Sequence, residues 1–83
     1  MSMIQELISA VTDSERQIDD QIMKLNSYLQ QIEITSKKVD EALSGVKYGE
    51  DMINQLLQTK QQINNTIGYL QTAKDRLIQV RMV

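Results

Sequence analysis

Acidic residues stand side by side at Asp19-Asp20, Asp40-Glu41 and Glu50-Asp51, the arrangement in this chain that first invites a reading as acid/base or metal chemistry. Such work needs carboxylates that converge on one atom. On a helix, neighbours in sequence point about 100° apart, so these pairs diverge instead. With no His and no Cys among 83 residues, the usual zinc ligands, the Cys or Ser/His nucleophile pairs and any disulfide are excluded. Gly45 and Gly49 do not meet the spacing of a phosphate-cradling loop. No motif here carries catalysis, and the sequence predicts neither an enzyme nor a cofactor nor a metal. The protein is expected to work by shape and contact.

Charge and hydropathy narrow the contacts. Nine basic residues against eleven acidic ones give a net charge of −2, which argues against electrostatic binding to nucleic acid. The longest apolar runs are two residues, such as Leu7-Ile8 and Leu56-Leu57, far short of the roughly 20 that a membrane span needs. Basic residues are too scattered, and large aromatics too few, for a membrane-surface helix. The first residues lack the basic start and apolar core of a cleavable signal. A protein made in the cytoplasm is expected, and any export would use a route that reads no such signal.

The elements that position these residues follow from a seven-residue beat. Ile4, Val11, Ile18, Leu25, Ile32 and Val39 form one column, and Ile8, Glu15, Ile22, Leu29, Ser36 and Leu43 a second. Both lie on one helical face with the repeat of a coiled-coil seam. In the second half Leu56, Ile63, Leu70 and Leu77 make the central column. Met52, Thr59, Thr66, Ala73 and Val80 flank it on one side, and Ile53, Lys60, Ile67, Lys74 and Arg81 on the other. The break between the halves is Ser44-Gly45-Val46-Lys47-Tyr48-Gly49. Gly45 is placed to end a helix in the left-handed conformation. Gly49 before Glu50 and Asp51 reads as a helix start, with Tyr48 packing on Ile53 as a hydrophobic staple. Ser2 and Gln5 fit a capping box. The expectation is a single all-α domain over 1–83: helix over 3–44, turn over 45–49, helix over 50–81, folded into an antiparallel, coiled-coil-like two-helix hairpin. Early acids and late bases agree, since folding back near position 47 would bring opposite signs together at both ends.

Two helices cannot enclose a side chain on all sides, and a chain this small needs a staple, a metal or a partner. A helical partner, another protein or a second copy, is expected to complete a four-helix bundle. Its contact surface would comprise Ile4, Leu7, Ile8, Val11, Glu15, Ile22, Leu29 and Gly68, with Gly45, Tyr48 and Gly49 shaping the turn. Val83 should fall opposite Val11, so Ile4, Leu7 and Ile8 overhang the second helix, either as a docking tip or as a fraying end. Glu15 reads first as a register-setting salt bridge to Arg76 or Arg81, and otherwise as a contact for a partner's cation. The amide-rich outer face of helix 2, with Gly68 on it, is either compositional drift or a surface cheap to desolvate.

The stretch Gln55-Leu56-Leu57-Gln58-Thr59-Lys60-Gln61-Gln62-Ile63-Asn64-Asn65-Thr66 resembles the C-terminal helix of the small WXG-type hairpins of bacterial type VII secretion, and Lys47-Tyr48-Gly49 falls where that family has its Trp-x-Gly turn. The resemblance implies a small secreted helical partner in dimeric four-helix bundles, or an accessory hairpin for the long N-terminal helical domain of an LXG-type toxin. The chain has no Trp, and no aromatic is followed four residues later by an acid, the family's export signal. That favours the accessory hairpin, acting as a targeting chaperone. The competing expectation is a self-associating structural or regulatory coiled-coil adaptor of a cytoplasmic or phage assembly.

Overall fold

The helix-forming content of the first half is continuous: no Pro or Gly interrupts it until position 45. In the computed structural model, which describes residues 2–82, it forms one helix, α1, over Met3–Leu43. Its start is the capping box expected from the sequence. The Gln5 backbone N–H donates to Ser2 Oγ at 3.1 Å, and the Ser2 backbone N–H donates to Gln5 Oε1 at 3.1 Å. The second helix, α2, spans Lys47–Arg81.

The turn is shorter than expected. Gly45 takes the left-handed conformation at φ 76°, the one positive φ among the described residues, and Val46 is extended. The Val46 N–H then donates to the Leu43 carbonyl at 3.1 Å, and Glu50 N–H to the Val46 carbonyl at 3.1 Å. Helix 2 therefore begins at position 47 and not at 50, so Tyr48 and Gly49 belong to its first turn. Gly49 does not start the helix. It is buried against Leu43, where an added Cβ would lie 2.6 Å from the Leu43 Cβ and 2.7 Å from its carbonyl oxygen. What the position requires is the lack of a side chain. Tyr48, helical and exposed, is not the residue ahead of the helix that a staple needs.

The helices pack antiparallel into a rod of 64 × 15 × 13 Å. This is the all-α hairpin expected from the heptads. Half-burial picks out the columns that face inward: Ile18, Leu25, Ile32 and Val39 with Ile22, Leu29 and Leu43 on α1, against Ile53, Leu56, Ile63, Ile67, Leu70 and Leu77 on α2. Of the two flanks left open on helix 2, the Ile53–Arg81 side turns toward α1, while Thr59, Thr66, Ala73 and Val80 stay exposed. Only one apolar side chain among the described residues, Val11, is buried, and none is sealed completely from solvent.

Candidate functional site

Three ion pairs stitch one edge of the seam. Lys60 Nζ donates to Glu33 Oε1 at 2.7 Å, Lys74 Nζ to Asp19 Oδ1 at 2.7 Å, and Arg81 Nε to Glu15 Oε1 at 3.1 Å. The first two are two heptads apart on both helices, so the 3.5-residue repeat is held along the rod. Sequence reasoning had left Lys60 as a polar interruption of a flank, and had set Lys74 with Arg76 and Arg81 in the late basic block that meets the early acids Asp13, Glu15, Asp19 and Asp20. The matched spacing of Lys60 and Lys74 with Glu33 and Asp19 is the signal that pairs them. The Lys60 ammonium bonded to Glu33 holds that carboxyl below its ordinary value, and the Asp19 carboxylate bonded to Lys74 pushes that amine above its own. The Glu33 and Asp19 carboxylates of the first two pairs face solvent, and those pairs set register more than stability. No ion pair among the described residues joins Lys37, Lys38 or Lys47 to Glu50 or Asp51, so opposite charges meet at the open end and mid-rod but not at the turn. Those side chains are all exposed.

The expected contact residues divide. Val11, at 5% exposure, belongs to the interior of the hairpin and not to a partner surface, because it lies where α1 and α2 still run together. Glu15 is likewise committed: its carboxylate is only 12% exposed and is held by Arg81, which leaves it no role as a receptor for a partner's cation. Ile22 and Leu29 are half-buried in the seam and share their outer surface with solvent. Gly68 is exposed on the outer face of α2, with nothing within 4 Å of where a Cβ would stand.

Ile4, Leu7 and Ile8 are placed as expected. The register of the ion pairs sets Met82 level with Val11, and the expected neighbour Val83 lies outside the described residues. Exposure rises from Val11 outward, through 40% at Ile8 to 69% at Ile4. Ile4, Leu7 and Ile8 form with Val80 and Arg81 an open apolar groove at this end of the rod.

No described helix is long and apolar enough to cross a membrane, and no cluster of metal-ligating residues exists among the described residues. No protein-family model, curated protein or solved structure matches the chain.

Proposed function

We propose that this chain is a non-enzymatic interaction module, a helical hairpin that completes a four-helix bundle with another helical protein. In the version that the sequence resemblance favours, it is the accessory partner or targeting chaperone of a type VII-secreted protein of the LXG type. The observation that carries the reading is surface area. The hairpin exposes 6580 Å². A compact monomer of 9.5 kDa exposes about 5,000 Å². The excess of about 1,500 Å² exceeds the ~800 Å² that each partner contributes to a standard interface. Part of it is the apolar groove at the open end, and burying one such side chain is worth about 1.5–3 kcal/mol.

Co-expression with a large protein carrying a long helical N-terminal domain, sought among the neighbouring reading frames, followed by light-scattering mass measurement, tests the reading. A stable heteromeric complex is expected. Ile4→Asp with Ile8→Asp should weaken that complex while the far-ultraviolet circular dichroism of the hairpin stays unchanged. A hairpin that purifies alone as a monomer and binds no hydrophobic dye refutes the reading.

A further inference from the structure

The two edges of the hairpin differ in charge. One carries Glu33–Lys60 and Asp19–Lys74. Along the other runs the α1 column of Leu7, Ser14, Gln21, Tyr28, Thr35 and Ala42, beside the α2 column of Met52, Thr59, Thr66, Ala73 and Val80. Leu7 and Val80 line one groove, which ties the two columns together at the open end. One heptad column further out on each helix adds Lys24 and Lys38 from α1, and Tyr48, Tyr69 and Arg76 from α2.

None of the eleven acidic residues of the chain falls in these four columns. The charges there are Lys24, Lys38 and Arg76, all cations and all exposed. The three tyrosines of the protein are there too, each exposed, and tyrosine is a residue that interfaces favour. Two threonine hydroxyls along the stripe are already paired: Thr59 Oγ1 donates to the Gln55 carbonyl at 3.1 Å, and Thr66 Oγ1 to the Gln62 carbonyl at 3.0 Å. Covering these threonines strands no donor. The rod is 64 Å long and up to 15 Å wide, enough for the ~800 Å² per partner of a standard interface.

We propose that this acid-free face is the docking surface, and that its occupant is a helical partner whose contact helices carry an uncharged stripe flanked by carboxylates. The inference rests on the functional reading above and specifies its surface and chemistry. A second copy laid on the same face would set cations against cations. A second copy offering its acidic flank would leave its own acid-free face open and recruit further copies into a ring or a filament. Carboxylates on a different chain satisfy Lys24, Lys38 and Arg76 with neither consequence.

The test titrates the partner recovered in that co-expression against purified hairpins by calorimetry, at low and physiological salt. The charge-reversed triple Lys24→Glu/Lys38→Glu/Arg76→Glu should raise Kd about tenfold or more and flatten its salt dependence. A matched triple on the side of the ion pairs, Asp40→Lys/Glu50→Lys/Asp75→Lys, should leave Kd within about twofold or lower it. All six positions are exposed, and circular dichroism confirms that both variants stay folded. A complex insensitive to the first triple, or more sensitive to the second, overturns the surface assignment while leaving the functional reading standing. A tight homodimer of the wild-type chain, broken by the first triple, overturns the named occupant. Absence of any complex refutes the functional reading and this inference with it.

Discussion

Replacing Gly49 by Ala should destabilise the hairpin, although alanine is the better helix former. In a helix interior Ala is favoured over Gly by roughly 0.5–1 kcal/mol. At position 49 that gain is small, because the residue lies in the first turn of α2. Against it stands the new methyl, 2.6 Å from the Leu43 Cβ and 2.7 Å from the Leu43 carbonyl oxygen. Neither atom is the free end of a flexible side chain, so relief requires the turn itself to move. Forced overpacking of this kind costs about 1–3 kcal/mol. The net expectation is a loss of about 0.5–2 kcal/mol, and each kcal/mol lowers Tm by about 4–8 °C in a chain of this size. Gly68→Ala is the internal control, since open space surrounds it. It should raise stability by about 0.5–1 kcal/mol. Thermal melts followed by circular dichroism, run side by side, measure both. If Gly49→Ala melts with or above the wild type, the close approach at Leu43 does not shape the turn, and the argument for that glycine fails.

Three further outcomes follow from the seam and its edges. Val11→Ala removes two methyl groups from the one buried apolar side chain among the described residues and should cost about 1.5 kcal/mol in urea unfolding, against less than half of that for Val80→Ala, which is exposed. Gly45→Ala forces a side chain into the left-handed region at φ 76° and should cost about 1–2 kcal/mol in the same assay. Stability should also depend on pH at both extremes. The carboxyl of Glu33 titrates lower in the folded hairpin than its ordinary 4.5, so its contribution is present above that value and lost as pH falls through the depressed one. Lys74 titrates higher than its ordinary 10.5, so its contribution is present below that value and lost as pH rises through the elevated one. A Tm flat across the neutral range and falling at each end is expected, and Lys60→Met should flatten the acid limb.

The heptad columns made the paired helices legible, and the break at Gly45 with the opposed charge blocks made the fold-back legible, because a 3.5-residue stripe must be buried against another helix. The capping box at Ser2 and the left-handed Gly45 were legible for the same local reason: each is a requirement of a few adjacent residues. Gly49 was misjudged because its role is set by contact with Leu43 across the turn, a distance that no local pattern encodes. Val11 went the same way, whereas the first reading of Glu15, a salt bridge to Arg76 or Arg81, is what the structure shows, with Arg81. Whether an apolar or acidic seam residue faces a partner or its own second helix depends on how far α2 reaches along α1, and that register is fixed only when Lys60 meets Glu33 and Lys74 meets Asp19. The acid-free face needed the register too. Its columns are visible in the sequence, but which flanks of the two helices share an edge becomes defined only once the ion pairs mark the opposite one.

The uneven placement of carboxylates has an effect at a distance. At physiological ionic strength a charge is felt over about 8 Å, less than the 13–15 Å thickness of the rod. A neighbour approaching one flank is therefore shielded from the other, and the net charge of −2 describes what neither side presents. An acidic surface meets Lys24, Lys38 and Arg76 when the molecule arrives with one broadside, and the Glu33 and Asp19 carboxylates when it arrives with the other. Tumbling into the correct orientation is thus selected before any side chains touch.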